Sequence, residues 1–385
     1  MESYTLPDKA SYRDIEEAIC MVQSYPGIGI TLPNILQYKG SLGIEGLMCQ
    51  LVATWMRVNP DRRVYIAHDA ISSEDHFKDL CASLYGTCVL QYATDIQLLD
   101  GSAVNRHVAL ESAYRSVRDV SLGRYDNAYN GSYVTVFSFK SLGSNKEYNN
   151  RMYLGQDALD RGYVRSVVRE IIQTVVNDDE YSLISEFVDS ASEIVSELYD
   201  NTHNHSRYSV DGVLLSENFR AIVIDCSEMN AERLQELSQD GVKGMLGIYS
   251  DWTGWMIANG RNIPILNITV VDSGPGYARR WTSKEASELT WDEESQAIEK
   301  CFTKNYTTTR NYASGSGLSH VMRDVKKLKG ILTLRTGRAL VSKGFHNGQG
   351  SIKVLKEDMV EKKVFVEGVS FNISVPLVNM GGGNV

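Results

Sequence analysis

The chain has 385 residues, of which 43% are hydrophobic and 23% are charged. This length allows two domains with substantial cores, and the composition is that of an ordinary globular protein. The 48 acidic residues outnumber the 39 lysines and arginines, and the net charge of −9 argues against nonspecific binding to nucleic acid through the phosphate backbone.

Neither a membrane span nor a secretory signal is predicted. No run of about 18 apolar residues occurs, and the N-terminal segment lacks the basic and apolar regions of a signal peptide. The six cysteines form no CxxC pair, which is typical of reduced thiols rather than of zinc sites or disulfides. We therefore expect a cytoplasmic protein that does not associate with membranes.

The N-terminal third alternates β-rich runs with helical stripes. The runs GIGITLP, RRVYIAH and TCVLQY predict strands, and the apolar stripes between them predict helices, the second of which ends at Gly86. This order indicates a small sheet with helices packed on it. We assign residues 1–125 to this smaller α/β domain. It contains no phosphate-binding glycine loop, metal cluster or nucleophile constellation, so we interpret it as a packing and interaction domain.

The second domain, residues 126–385, is organised around the segment 182–205. Its apolar residues recur at intervals of three and four and predict a helix with one buried stripe; they are Ile184, Phe187, Val188, Ala191, Ile194, Val195 and Leu198. Glu197 and Asn201 are four residues apart, so they emerge on the same flank of that helix. A polar pair in this position more often belongs to the solvent-exposed edge of a helix than to a functional site.

Two later motifs change that interpretation. The run ILNITVVDSGPGY predicts a strand that ends at Asp272, followed by Gly274 and Gly276. The segment 303–318 is rich in threonine, contains Thr308, and closes on glycines before another predicted helix; the closing residues are Gly315, Gly317 and Leu318.

The order E-x-x-x-N, D-x-G-x-G and a threonine-rich loop closing on G-x-G-L resembles the Bergerat, or GHKL, ATP-binding fold. Gyrase B subunits, mismatch-repair ATPases, heat-shock chaperones, histidine kinases and anti-sigma kinases share this fold. The resemblance implies a C-terminal α/β sandwich with a mixed sheet and helices on one face. It extends to the predicted helix 317–329 and to two closing strands. The N-terminal domain loosely resembles STAS domains, which often accompany such ATPases.

The resemblance implies ATP and Mg²⁺ as ligands. Asn201 would be the protein ligand of Mg²⁺, and Glu197 would be the general base for the attacking water. Asp272 would accept a hydrogen bond from the adenine amino group. The backbone would approach the nucleotide closely at Gly274 and Gly276, and a lid formed by Thr307–Arg310 and Gly315–Gly317 would cover the phosphates. The nucleotide-binding residues implied in this region are Thr308, Gly315, Gly317 and Leu318.

Two features depart from a minimal member of that family. Where relatives commonly carry Gly-Thr before the last strand, this chain has Gly368 and Val369, so a supporting hydroxyl is either missing or supplied by Ser370. The segment 227–262, with Trp252 and Trp255, is an insertion that either packs beside the nucleotide site or forms a partner surface. Exposed tryptophans would favour the partner surface.

The function implied by the resemblance is a nucleotide-dependent switch that hydrolyses ATP and controls a partner protein, as in bacterial regulation or defence. A homodimer is one form that the assembly could take. Two alternatives remain open: an anti-sigma-type protein serine kinase, and a module that binds ATP without turnover.

Overall fold

The computed structural model describes residues 3–8, 10–33, 36, 43–66, 75–98, 100–129, 131, 133–142, 144, 147–148, 150, 152–154, 158–176, 187–240, 246–303, 317–345 and 350–377. Within these ranges the protein is a mixed α/β structure with a four-stranded parallel sheet and a five-stranded antiparallel sheet. The predicted α/β class is therefore confirmed.

The parallel sheet lies in the N-terminal part of the chain, and its strands follow one another in sequence order. The strands are β1 (Ser3–Thr5), β2 (Gly29–Thr31), β3 (Arg63–Ile66) and β4 (Asp95–Leu98). The helices between them are α1 (Tyr12–Ser24), α2 (Ile44–Val58), α3 (Asp75–Cys81) and α4 (Leu84–Tyr92). Parallel neighbours require such crossovers, and the predicted alternation of strands and helices is confirmed for β2, α2 and β3.

The predicted strand TCVLQY is wrong, because these residues lie in helix α4. All nine residues of α4 are buried, so the run shows neither the alternation of a strand nor the stripe of a surface helix. Its helical state is set by capping groups: the Ser83 hydroxyl accepts from the amide of Gly86, and Glu45 of α2 accepts from the amides of Leu84 and Tyr85 at 2.7 and 3.1 Å. Gly86 therefore lies in the first turn of a helix rather than at its end.

The second sheet follows helices α5 (Arg106–Ala109), α6 (Glu111–Ser121) and α7 (Tyr125–Ala128) and has the order β10-β11-β9-β8-β5. Its strands are β5 (Tyr133–Lys140), β8 (Asn218–Met229), β9 (Ile263–Asp272), β10 (Ile331–Gly344) and β11 (Met359–Pro376), with β6 (Tyr153–Leu154) and β7 (Ala158–Leu159) forming a separate ribbon. The remaining helices are α8 (Arg161–Val175), α9 (Val188–Asn201), α10 (Ala231–Asp240), α11 (Leu246–Asn259), α12 (Tyr277–Thr282), α13 (Trp291–Cys301) and α14 (Gly317–Lys327).

Every pair of neighbouring strands in this second sheet is antiparallel, whereas a mixed sheet was predicted. The β5–β8, β8–β9 and β10–β11 connections return the chain to the end of the sheet that it left. The β9–β10 connection crosses to the opposite end, and β11 then lies between β9 and β10, antiparallel to both. The predicted domain boundary at residue 125 falls at the start of α7, before β5 enters the sheet.

Helices cover both faces of the antiparallel sheet, whereas helices on one face were predicted. Helices α8, α9 and α14 pack in one core with strand residues such as Ile222 and Val270. On the opposite face, Val223 and Val271 pack in a second core with α2 of the N-terminal region. The strands are apolar on both faces, which is typical of a sheet buried between two layers of helices.

The insertion forms α10 and α11 between β8 and β9. It lies against Ile263, at the opposite end of β9 from Asp272, so ten residues of strand, about 30 Å, separate it from that motif. The insertion therefore lies away from Asp272, and the alternative that it packs beside this motif is not supported. Trp252 is buried and Trp255 is half-buried beneath the guanidinium of Arg261, so exposed tryptophans do not support a partner surface either.

A row of buried polar side chains crosses the sheet face that meets α2. Hydrogen bonds join Thr269 to Asn372, Asn372 to Ser374, and Ser374 to Asn267. Asn267 then donates to Asp225 Oδ1 at 2.9 Å. Burial raises the pKa of Asp225 to about 7, because a charge on this side chain would be shielded from water and poorly solvated.

Replacing Asp225 with asparagine should change how stability depends on pH. Between about pH 4 and pH 7 the folded protein keeps a proton on Asp225 that the unfolded chain has lost. The free energy of unfolding of the wild type should therefore fall as pH rises through this window, by up to about 1.4 kcal/mol per pH unit from this group. Asparagine at position 225 cannot ionise. The free energy of unfolding of Asp225→Asn, measured with urea, should therefore rise relative to that of the wild type between pH 5 and pH 7. Asp95→Asn, on an exposed strand end, is the control; parallel curves for Asp225→Asn and wild type would contradict the prediction.

Candidate functional site

Helix α9 presents Glu197 and Asn201 on one flank. The buried residues of α9 include Val188, Ala191 and Ile194, so the predicted stripe is confirmed from residue 188 onward, while Ile184 lies outside the described residues. The Glu197 side chain is 16% exposed. The chain continues from Asn201 into a π-helical turn, Thr202–Ser206, a distortion that is frequent at functional sites.

The first residue of α14 lies directly against this pair. A Cβ atom at position 317 would lie 2.5 Å from Oε2 of Glu197 and 3.9 Å from Nδ2 of Asn201, so any side chain there would displace the Glu197 carboxylate. Leu318 is buried in the same core as α9. The closing glycine of the third motif therefore meets the first motif, while Thr308 and Gly315 lie outside the described residues.

Asp272 is the last residue of β9, and its carboxylate is enclosed. The side chain is 3% exposed, and its Oδ1 accepts from the amide of Gly274 at 2.9 Å. Burial raises the pKa of Asp272 to about 7, against the opposing effects of backbone amides and of Arg220. A buried carboxylate that is weakly solvated gains much from a ligand that donates a hydrogen bond to it.

The glycines after Asp272 contact the other elements of the site. A Cβ atom at position 274 would lie 2.5 Å from Cα of Ser206, the last residue of the π-helical turn. Gly276 has a φ of 82°, and a Cβ atom there would lie 2.9 Å from Oγ1 of Thr336. The described residues of the three motifs therefore lie close together, around the end of α9, the end of β9 and the start of α14; of the third motif these are Gly317 and Leu318.

Thr336 places a hydroxyl against the segment that follows Asp272, whereas Ser370 faces α2. Ser370 lies against Gly46 of α2, on the opposite face from Val369, so it cannot support Asp272 from the site side. Thr336 of β10 accepts from the amide of Tyr277 at 3.2 Å. Sequence alone did not find Thr336, because a residue's face depends on strand pairing rather than on its neighbours in the chain.

A buried arginine lies beside Asp272 in the sheet register. Arg220 donates to His203 Nδ1 at 2.8 Å and to Glu147 Oε1 at 2.7 Å. Burial and the charge of Arg220 lower the pKa of His203 to about 3, so the imidazole is neutral and accepts from the guanidinium. This network holds the π-helical turn against β8, the strand that carries Arg220. The sequence gave no signal for the network, because a single arginine within a strand forms no motif.

Helix α2 holds the backbone of the second motif from behind the sheet. Arg57 Nη2 donates to the carbonyl oxygens of Ser273 at 3.1 Å and Glu217 at 2.9 Å. Gln50 donates to the carbonyl of Gly368, whose amide in turn donates to Gly274. The N-terminal region therefore contributes directly to the geometry of the site, although its sequence carried no motif for this.

Arg57→Ala should loosen the segment after Asp272. The variant leaves the carbonyls of Ser273 and Glu217 without their donor, at a cost of about 1–3 kcal/mol. Hydrogen exchange of the amides of Ser273, Gly274, Gly276 and Tyr277 should accelerate. Arg63→Ala, which removes an exposed ion pair with Asp95, should leave it unchanged. Equal exchange in Arg57→Ala and wild type would show that α2 does not restrain the segment.

Comparisons of this chain with protein-family models, curated proteins and solved structures found no match. Within the described ranges, no helix has the length and apolar character needed to cross a membrane.

Proposed function

We propose that this protein binds Mg-ATP between α9, the segment after β9 and the start of α14, and hydrolyses it as a GHKL-type ATPase. The observation that carries the proposal is the convergence of the three motifs. They are far apart in sequence, yet Gly317 lies against Glu197 and Asn201, and Gly274 lies against the turn that continues from Asn201. A side chain at position 274 would collide with the backbone of Ser206, and one at position 317 would displace the Glu197 carboxylate. Both contacts are consistent with close backbone approach around a bound ligand.

The adenine end of the proposed site is Asp272. Its buried carboxylate would accept from the adenine amino group, and this interaction would favour its ionised form. The phosphate end would be the start of α14, because the N-terminus of a helix suits an anion. The lid residues Thr308 and Gly315 belong to this proposal as predictions, because they lie outside the described residues.

The donor set suits magnesium held mainly by the nucleotide. Within the described ranges there is no group of three His, Cys, Asp or Glu that could hold a metal. Asn201 offers a hard amide oxygen, and Mg²⁺ commonly takes few protein ligands while keeping phosphate oxygens and water. When bound, the ion would offset charge on the phosphates.

Glu197 would carry the proton transfer. It would accept a proton from water as the water oxygen bonds to the γ-phosphorus and the bond from phosphorus to the bridging oxygen breaks, releasing ADP and phosphate. A retained carboxylate at this position favours hydrolysis over binding alone. We propose that the nucleotide cycle controls a partner protein in the cytoplasm. All six cysteines lie in the described ranges and none forms a disulfide, which suits that compartment.

The test is turnover of ATP labelled in its γ-phosphate by the pure protein, alone and with proteins encoded beside it. Phosphate release without labelled protein supports the switch. Labelled protein would instead select the serine kinase, and tight ATP binding with neither product would select the binding module. Asp272→Asn serves as the control for contaminating ATPases.

A further inference from the structure

Arg161, the first residue of α8, connects two carboxylates of α9. Its Nη1 lies 2.7 Å from Oε2 of Glu193, and its Nη2 lies 2.5 Å from Oε1 of Glu197. Asp160 caps α8 by accepting from the amide of Tyr163, which fixes the start of the helix next to α9.

This flank of α9 is crowded with negative charge. Glu193 and Glu197 are four residues apart on one helix, a spacing at which like charges repel. Asp200 lies in the next turn, and burial together with the charge of Glu197 raises its pKa, while Arg161 opposes the rise. The guanidinium therefore offsets the repulsion and holds the Glu197 carboxylate by one oxygen.

The two oxygens of Glu197 have different surroundings. Oε1 is held by Arg161, whereas Oε2 faces Gly317 at the start of α14. A carboxylate held by one oxygen has its rotation restricted, so its other oxygen is presented in a defined direction.

We propose that Arg161 is a positioning residue that holds Glu197 with its second oxygen directed at the phosphate end of the cleft. The inference rests on the proposed ATPase function. Arg161 acts on turnover through Glu197 and contributes little to folding, because its side chain is 58% exposed and exposed ion pairs stabilise proteins only weakly.

The chain supplies a matched control one turn along α8. Arg165 makes the same type of ion pair, with its Nη2 2.5 Å from Oδ1 of Asp189, at a similar exposure but away from Glu197. Arg161→Ala should lower kcat for ATP about tenfold or more, since displacing a reacting group by a fraction of a bond length already costs rate. In Arg161→Ala, KM, the Kd for ATP and Tm should stay at wild-type values. In Arg165→Ala, kcat should stay at its wild-type value as well.

Two further variants separate charge from geometry. Arg161→Lys retains one donor to Glu197 and should recover part of kcat, and Glu193→Gln should retain wild-type kcat because the contact with Glu197 persists. A wild-type kcat in Arg161→Ala, or an equal loss in Arg165→Ala, would overturn the proposal. A loss of ATP affinity with unchanged kcat would also overturn it, by making Arg161 a direct phosphate contact. Failure of the ATPase function itself is distinguishable, because the wild type would then show no turnover.

Discussion

Asp272→Asn is expected to weaken ATP binding by about 30- to 150-fold while leaving the protein folded. The wild-type carboxylate would offer the adenine amino group a charged acceptor in a buried site, and losing such a hydrogen bond costs about 2–3 kcal/mol. The asparagine oxygen can still accept from the amide of Gly274, as Oδ1 of Asp272 does. The fold of the loop should therefore survive the substitution.

Calorimetric titration of ATP, with Tm measured in parallel, checks this expectation. Asp292→Asn, on the exposed first turn of α13, is the matched control. Because the pKa of Asp272 in the free protein is about 7, ATP affinity of the wild type should rise more steeply from pH 6 to pH 8 than that of the variant. Unchanged ATP affinity in Asp272→Asn would remove the GHKL assignment.

Glu197→Ala is expected to bind Mg-ATP normally and to hydrolyse it about 10²- to 10⁴-fold more slowly, the usual contribution of a general base. Asn201→Ala should behave differently, because it would remove the only protein ligand proposed for magnesium. Its ATP affinity should become independent of magnesium concentration.

Single-turnover hydrolysis and ATP titrations with and without magnesium separate the two roles. Asp189→Ala, near the start of the same helix and away from Gly317, is the control. Wild-type turnover in Glu197→Ala would exclude it as the base and leave the proposed switch without a reset step. A magnesium dependence that persists in Asn201→Ala would assign the ion to other ligands.

Much of the local structure follows from periodicity in the sequence. The apolar stripe of α9, the buried run of β9 that ends at Asp272, and the helix that begins at Gly317 all lie where the patterns predict them. The helices bury one apolar stripe each, and β9 is buried on both faces, so the spacing of their apolar residues follows the type of element. Of the residues that the three motifs predicted, Gly317 lies against Glu197 and Gly274 lies against the turn after Asn201, while Thr308 and Gly315 lie outside the described residues.

Other features depend on contacts between distant segments. The run 87–92 is helical because it belongs to α4, whose first amides donate to Glu45 and Ser83. Every residue of α4 is buried, so its apolar residues show neither the helical nor the strand period. Strand pairing turns Thr336 toward the site and Ser370 toward α2, which no local pattern encodes.

Tertiary structure alone also decided which segments support the site. The insertion lies at the far end of β9, whereas α2, more than 200 residues from Ser273 in sequence, donates a hydrogen bond to that residue's carbonyl. Arg161 reaches Glu197 only because α8 packs beside α9. Sequence patterns record which face of an element is buried, but hydrogen bonds between elements depend on how those elements dock, and docking is a property of the whole chain.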